Sequence, residues 1–136
     1  MKKLNLLVCL LLTLFMFTSC LESGSKQTEI RLVTADEMES ILQVEDVQLV
    51  DVRSPEEFEE IHLTNAQNID FNSPTFDDDI TRLDKEKPVI LYCKGGITSA
   101  KCAKKLKDAG FKKIYDLEGG LSKWQHSNRI RVEVKS

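Results

Sequence analysis

The sequence predicts an α/β domain on a mostly parallel, five-stranded sheet with helices on both faces. Three observations lead to this fold class. Short apolar runs alternate with segments of helical periodicity along most of the 136 residues. The run Val89–Tyr92 is apolar throughout, as is usual for strands that are buried on both faces. Helix-capping and glycine signals separate the runs from one another.

The predicted elements follow one another in alternation. Apolar runs rich in β-branched residues are typical of strands, and segments that begin at a capping residue are typical of helices. The five strands are predicted at residues 30–33, 47–52, 66–70, 89–92 and 114–117. The helices are predicted at residues 35–43, 55–60, 76–83 and 99–109, and after Gly119-Gly120. Alternating apolar and polar residues at 130–135 predict an extended tail or an edge strand.

Two of these helices carry strong start signals. Thr34 stands three residues before Glu37, and Ser54 stands three residues before Glu57 with Pro55 between them. Both spacings predict a capping box, in which each side chain binds the other residue's backbone N–H.

The first residues have the pattern of an export signal. Lys2 and Lys3 precede an apolar stretch over residues 4–17, which is too short for a comfortable membrane span of roughly 20 residues. The ending Phe-Thr-Ser-Cys at Cys20 resembles the lipobox of bacterial lipoproteins. The resemblance implies lipidation of Cys20, although an ordinary secretory signal or an uncleaved anchor is the alternative. We therefore expect an exported protein, anchored by lipid to a bacterial membrane and facing the periplasm or the cell exterior.

These signals divide the chain into four parts. We expect a lipoprotein-type signal peptide at residues 1–19 and a lipidated cysteine with a flexible tether at 20–28. A folded domain follows at 29–126, and a C-terminal tail or edge strand at 127–136.

Charge and cysteine usage exclude several function classes. Loss of Lys2 and Lys3 with the signal would take the net charge from −3 to about −5, which argues against nucleic acid as a partner. Cys93 and Cys102 are the cysteines of the folded domain, and export leaves their pairing in a disulfide open. The scattered histidines and cysteines offer no metal-ligand spacing, so neither a metal nor a cofactor is expected.

The most informative segment runs from Cys93 to Ser99. Cys93 follows the apolar run at 89–92, Gly95 and Gly96 allow a turn, and helical periodicity begins at Ser99. Backbone N–H groups of such a loop, with the positive end of a helix, stabilise anions. A thiol held there ionises more readily than a free one. The segment thus predicts a nucleophile at Cys93, against the alternative of a buried structural thiol.

Several stretches between about residues 30 and 124 together resemble the rhodanese family. Asp51-Val52-Arg53 with Glu57-Phe58 and His62 resembles the family pattern D-V-R-x-x-x-E-[FY]-x-x-G-H. Residues 66–69 resemble its G-A-x-N-I, residues 93–98 its active loop C-x-x-G-x-[RT], and residues 110–124 its G-F-x-x-V-Y-x-L-x-G-G-x-x-x-W. Ile61 and Asn65 depart from the pattern by replacing glycines, and only asparagine partly shares glycine's access to positive φ.

The resemblance implies a rhodanese-like fold and sulfur transfer through a Cys93 persulfide. The donor would be a small anion such as thiosulfate, and the acceptor cyanide, a thiol or an unidentified protein. Thr98 and Lys94 resemble the residues of thiosulfate-type members, which hints at the donor. The loop that binds substrate and persulfide would comprise Lys94, Gly95, Gly96, Ile97, Thr98 and Ser99.

Four further residues are implied to support that loop: Asp51, Arg53, Glu57 and His62. Ion pairs are the expected means, with Glu57 as a partner of Arg53. For His62 we expect a hydrogen bond that fixes the turn rather than proton transfer. Cys102 lies on the apolar stripe of the helix after the loop, which favours a core role over that of a resolving thiol.

Two other functions fit parts of the pattern. A non-enzymatic sulfane-sulfur carrier or binding module would load Cys93 and pass the sulfur to a partner protein with little turnover of its own. A phosphatase or arsenate reductase would need C-x5-R, and the sixth residue after Cys93 is Ser99. A phosphatase or arsenate reductase is therefore less favoured than a sulfurtransferase or a sulfur carrier.

Overall fold

The computed structural model describes residues 28–136 and contains seven strands and five α-helices. The strands are β1 (Ile30–Val33), β2 (Gln48–Asp51), β3 (Ile61–Leu63), β4 (Gln67–Asn68), β5 (Val89–Tyr92), β6 (Ile114–Leu117) and β7 (Val132–Val134). The helices are α1 (Ala35–Val44), α2 (Pro55–Glu60), α3 (Phe76–Asp79), α4 (Ile97–Asp108) and α5 (Gly120–Trp124), with a 3₁₀ turn at Ile80–Arg82.

The main sheet has five parallel strands in the order β1-β6-β5-β2-β4. The predicted α/β class with a mostly parallel, five-stranded sheet is confirmed. β5 lies at the centre of the sheet and all four of its residues are buried, as its unbroken apolar run predicted. A chain segment that leaves the carboxyl end of β5 is therefore flanked by the ends of its neighbours, where ligands bind in sheets of this kind.

Two apolar cores cover the two faces of the sheet. Side chains of a strand point alternately to opposite faces, so Val89 and Leu91 join one core while Ile90 and Tyr92 join the other. The first core packs against α3 and α4, and the second against α1 and α5. β5 is therefore packed on both of its faces.

Several predicted boundaries change in the structure. The strand expected at 66–70 is reduced to two residues, and the helix expected at 76–83 divides into α3 and the 3₁₀ turn. α4 begins at Ile97, two residues early, because Gly96 adopts a left-handed φ of 91° and caps it. Asn65 takes a φ of 65° at the position where the family has glycine.

The two predicted capping boxes have different outcomes. Thr34 and Glu37 form the full reciprocal box at the start of α1. At α2 the Ser54 hydroxyl accepts a hydrogen bond from the Glu57 N–H, at 3.3 Å, but the reciprocal contact is not formed. The prediction of a full second box is therefore wrong: the Ser54 contact forms, but the contact from the Glu57 side chain does not. Glu57 lines the cavity beside Cys93 instead.

β3 was not predicted from the sequence, and it pairs antiparallel with β7 near the C-terminus. β3 follows α2 directly along the chain. No helix within residues 28–136 combines the length and apolarity needed to cross a membrane. The predicted signal segment and Cys20 lie outside the described residues.

Candidate active site

Cys93 is the first residue after β5, and its side chain lines a cavity of about 660 Å³ at the carboxyl end of the sheet. The residue as a whole is only 3% exposed. Its thiol therefore sits at the base of a concave site rather than on the open surface. A reactant must enter the cavity to reach it, and a reactant that enters leaves much of its water behind.

One main-chain donor contacts the sulfur, and the start of α4 lies beside it. The Gly96 N–H donates to the Cys93 Sγ at 3.0 Å. Ile97, Thr98 and Ser99 begin the first turn of the twelve-residue helix α4. The backbone N–H groups of a first turn have no intrahelical partner. Their partial positive charge and that of the helix end favour an anion at this position. The local geometry thus stabilises negative charge on or beside Cys93.

The loop is fixed in this conformation by α5. Its Leu121 N–H donates to the Cys93 carbonyl at 2.8 Å, and the Ser122 N–H donates to the Lys94 carbonyl at 2.9 Å. With both carbonyls held by α5, the loop keeps the Gly96 N–H on the Cys93 sulfur. Gly120 has a φ of 60°, and a Cβ there would lie 2.5 Å from the Cys93 carbonyl oxygen. Glycine is therefore required at this contact.

The predicted loop residues divide between the cavity wall and the base of the site. Lys94, Gly95, Ile97 and Thr98 line the cavity, while Gly96 and Ser99 contact the sulfur from behind. Sequence reasoning did not identify several other lining residues: Val52, Ser54, Asp70, Asn72 and Ser122. Asp70 and Asn72 follow β4, so their place after a parallel strand was an available signal.

A second cavity, of about 470 Å³, lies near the turn after α1 and is lined by Met38, Leu63 and Ile130 among others. It contains no cysteine, and it is separate from the carboxyl end of β5. The cavity of Cys93 is therefore the candidate active site.

A buried ion pair forms one side of the site. The Arg53 Nη2 lies 2.6 Å from the Asp51 Oδ2, and Nη2 also donates to the Ile61 carbonyl at 2.6 Å. Burial disfavours the charge of Arg53, but hydrogen bonds and attraction from Asp51 outweigh burial and raise the pKa of the guanidinium. Asp51 is fully buried behind Arg53, which itself lines the cavity. Both charges are thus held in place and largely neutralised.

The expected pairing of Glu57 with Arg53 is wrong. The Arg53 guanidinium binds the Asp51 carboxylate and the Ile61 carbonyl. No ion pair joins Glu57 to Arg53 in the described part of the chain. His62 lies away from the cavity, where Nδ1 donates to the Phe58 carbonyl at 2.7 Å and the ring stacks on Phe58. This contact fits the expected turn-fixing hydrogen bond.

Cys102 is a buried, unpaired thiol on α4. Burial, with a contribution from the nearby carboxylate of Asp116, raises its pKa to about 12. The thiolate of Cys102 is therefore scarce at neutral pH, which agrees with a core role. Among residues 28–136 no group of three or more side chains is arranged to hold a metal ion.

Asp116 is a buried polar residue that sequence reasoning missed. It interrupts the apolar run of β6, is 2% exposed, and its Oδ1 has no hydrogen-bond partner. Burial raises the pKa of its carboxyl from an ordinary 3.8 to about 6, while a hydrogen bond with the Ser99 side chain opposes that rise. An acidic residue in a four-residue strand beside β5 was the signal in the sequence.

The pH dependence of stability is expected to show the effect of Asp116. Its pKa in the folded state is raised, so the folded state holds the proton more tightly than the unfolded state does, and stability falls as pH rises from about 4 through 6. A pKa difference of about two corresponds to at most about 3 kcal/mol. The free energy of unfolding of Asp116→Asn relative to wild type should therefore increase by up to that amount between pH 4 and pH 7 in urea titrations. A difference that does not change with pH would contradict this.

Comparison with known proteins agrees with this geometry. A family model described as the rhodanese-like domain matches residues 34–127. The chain belongs to the rhodanese-like family. The matched range covers the whole five-stranded sheet apart from β1, and it includes the Cys93 loop and α5.

Proteins named as sulfurtransferases are among the relatives of this chain. The chain is 38% identical over 80 residues to the thiosulfate sulfurtransferase GlpE of Coxiella burnetii, an alignment that covers 59% of this chain and 73% of GlpE. A crystal structure of a rhodanese-like domain protein from Staphylococcus aureus is 31% identical with a TM-score of 0.66, and the alignment covers 78% of this chain and 99% of that one. The chain is thus similar to sulfurtransferases of the rhodanese-like family.

A larger protein shares the domain. The crystal structure of thiosulfate sulfurtransferase from Pseudomonas aeruginosa is 25% identical with a TM-score of 0.62, and the match covers 71% of this chain but 19% of that one. The rhodanese-like domain therefore occurs both as most of a short chain and as part of a long one.

Proposed function

We propose that this protein is a sulfurtransferase that carries sulfane sulfur on Cys93. The observation that supports it best is the Gly96 N–H at 3.0 Å from the Cys93 Sγ, at the base of a cavity that the first turn of α4 adjoins. A persulfide is an anion at neutral pH, and preorganised N–H groups in a site that excludes water stabilise such charge. Similarity to enzymes named thiosulfate sulfurtransferase favours the same chemistry.

The reaction takes two covalent steps. The Cys93 thiolate attacks the outer sulfur of a donor such as thiosulfate, the donor's S–S bond breaks, and its electron pair leaves with sulfite. Cys93 is then a persulfide that carries one extra sulfur and one negative charge. Cyanide or a thiolate attacks the terminal sulfur, the new S–S bond breaks, and the Cys93 thiolate is regenerated with release of thiocyanate or of the acceptor persulfide.

Turnover by the full chain tests this proposal. We expect thiocyanate from thiosulfate and cyanide at steady state, loss of essentially all turnover in Cys93→Ser, and nearly unchanged turnover in Cys102→Ser, which serves as the matched thiol control. Stoichiometric loading of Cys93 without turnover would instead indicate a sulfur carrier that acts on a partner protein. Turnover that survives Cys93→Ser would exclude the proposal altogether.

Lys94 is proposed to attract the anionic donor. It is exposed at the cavity mouth and makes no ion pair within residues 28–136. The other charged residues of the cavity lining do not offer a free positive charge: Arg53 is paired with Asp51, while Glu57 and Asp70 are themselves acidic. Lys94→Gln is expected to raise the KM for thiosulfate about three- to tenfold, which corresponds to about 1 kcal/mol of interaction. The KM should also lose part of its dependence on salt.

The matched control for Lys94 is Lys101, an exposed lysine of α4 outside the cavity lining. Lys101→Gln removes the same charge from the same side of the protein, and its KM should stay within about twofold of wild type. Equal effects of the two substitutions would mean that only the overall charge matters.

We propose in addition that Cys20 is lipidated and anchors the protein to a bacterial membrane. The proposal rests on the resemblance of Phe17-Thr18-Ser19-Cys20 to a lipobox after an apolar stretch. Mass spectrometry of the protein from membranes should find acyl chains on Cys20 as the new N-terminus. Cys20→Ser should abolish that modification, and an unmodified Cys20 in the wild type would rule the anchor out.

A further inference from the structure

The cavity of Cys93 has two walls that differ in charge. One wall is the loop after β5, which carries the exposed ammonium of Lys94. The other wall comes from segments that follow β2 and β4, and both of these strands lie on the same side of β5. This second wall carries the carboxylates of Glu57, on α2, and of Asp70, after β4. We call Glu57 and Asp70 the acidic wall.

The carboxylates of the acidic wall are not neutralised by a cation of the protein. Within residues 28–136 neither of them forms an ion pair. Arg53 lines the same cavity and is attracted by Glu57 from a distance, but its Nη2 lies 2.6 Å from the Asp51 Oδ2. The Asn72 N–H donates to the Asp70 Oδ1 at 2.9 Å, which fixes the orientation of that carboxylate. The acidic wall therefore presents negative charge to a molecule that enters the cavity.

Sulfur transfer changes the charge balance between the two walls. Before loading, the Lys94 ammonium is the free cation that an anionic donor can approach. After loading, the Cys93 persulfide adds a negative charge to a cavity whose acidic wall is already negative. A second anion is then repelled, whereas a cation is attracted by the persulfide and by both carboxylates. The two half-reactions thus favour partners of opposite charge.

We propose that the acidic wall determines the acceptor, and that the acceptor is a small aminothiol, in which a thiol and an ammonium group belong to one molecule. The inference rests on the proposed function, because it names the class of molecule that takes sulfur from Cys93. The acceptor must reach a residue that is 3% exposed. A cavity of about 660 Å³ has room for a molecule of this size.

The transfer step balances with the aminothiol alone. Its thiolate, which has lost a proton to solvent, attacks the terminal sulfur of the persulfide, and a new S–S bond forms. The bond between that sulfur and the Cys93 Sγ breaks, and its electron pair stays on Cys93 as the thiolate. The product leaves as the persulfide of the aminothiol. The ammonium group is not consumed, but beside the acidic wall it offsets the repulsion between two sulfur anions.

The test compares acceptors of different charge on the same loaded protein. The full chain is loaded with thiosulfate, freed of excess donor, and treated with cysteamine or with 2-mercaptoethanol. Loss of sulfur from the Cys93 peptide is followed by mass spectrometry. The ratio of the cysteamine rate to the mercaptoethanol rate is then compared between proteins, so the intrinsic reactivities of the two thiols cancel. This ratio should fall about threefold in Glu57→Gln or Asp70→Asn, and about tenfold in the double variant.

Glu60→Gln is the matched control. It removes the same charge from α2, but Glu60 is exposed and lies outside the cavity lining, so the ratio should keep its wild-type value. An unchanged ratio in the double variant would overturn the proposal. An equal fall in Glu60→Gln would also overturn it, since only the overall charge would then matter. A loss of both rates together would assign Glu57 and Asp70 to support of the loop and would likewise contradict acceptor choice.

A second measurement separates this inference from the proposed function. Methanethiosulfonates that carry a trimethylammonium or a sulfonate group modify an unloaded thiol, with release of methanesulfinate. The ratio of cationic to anionic modification at Cys93 should fall about tenfold in the double variant. In wild type the same ratio should fall as salt is raised, which preserves the test if the variants do not fold.

The two measurements fail in different ways. A chain that does not load with thiosulfate but still prefers the cationic reagent would overturn the proposed function and leave charge selection by the acidic wall standing. A chain that loads normally but shows no preference for cations, in wild type or at any salt concentration, would overturn the aminothiol and leave the proposed function standing.

Discussion

Alanine at Gly120 is expected to reduce sulfur transfer by about 100-fold, because small displacements of reacting groups have effects of that size. A Cβ at this position would lie 2.5 Å from the Cys93 carbonyl oxygen and 2.6 Å from that of Lys94. Both atoms are backbone, so the loop or α5 must move to relieve the contact. Either movement weakens the bonds from Leu121 and Ser122 that hold the loop, and the Gly96 N–H would no longer face the sulfur as it does now.

A second glycine separates this contact from general backbone strain. Gly110 also has a positive φ, of 92°, but a Cβ there would meet nothing within 4 Å. Gly110→Ala should lower the free energy of unfolding by about 1–2 kcal/mol, the cost of a left-handed alanine, while kcat stays within about twofold. Similar kcat values for the two variants would show that the close approach of α5 does not position the loop.

Asparagine at Asp51 is expected to have the largest effect on stability. The substitution leaves the Arg53 guanidinium buried without its counter-charge, and removal of one partner from a buried pair costs about 3–5 kcal/mol. A domain of this size has a total stability of about 5–15 kcal/mol. Urea unfolding of Asp51→Asn should therefore show a midpoint far below that of wild type, with loss of sulfur transfer at temperatures where wild type is folded.

Two comparisons identify burial as the cause. Asp36 pairs with Arg129 at 2.7 Å, yet the two side chains are 62% and 60% exposed, so Asp36→Asn should change stability by less than about 1 kcal/mol. The double variant Asp51→Asn with Arg53→Met removes both charges, and it should be more stable than Asp51→Asn alone. Additive losses in the double variant would contradict the account of a paired, buried charge.

The strands and their order along the chain follow from local pattern. A continuous apolar run identified β5, and the Thr34 signal placed the start of α1 at the correct residue. The loop at Cys93 was also predicted, since a cysteine between a buried strand and a glycine-containing helix start is typical of a nucleophile site. These features depend on residues that are close in sequence.

The features that were missed depend on residues that are distant in sequence. β3 is three residues long and exists because β7 pairs with it, and neither segment carries enough pattern to predict the pairing. The family resemblance implied Glu57 as the partner of Arg53, but Arg53 reaches Asp51 and the Ile61 carbonyl instead. Asp116 was read as part of a strand, and its burial arises only when distant segments of the chain pack around β6.

The most direct test of the central claim is a mass measurement of the Cys93 peptide after the full chain is treated with thiosulfate. The account predicts a gain of one sulfur atom on Cys93, loss of that atom on addition of cyanide, and no gain at this position in Cys93→Ser. Persistence of unmodified Cys93 under conditions in which the fold is intact, or sulfur found on Cys102 instead, would contradict it.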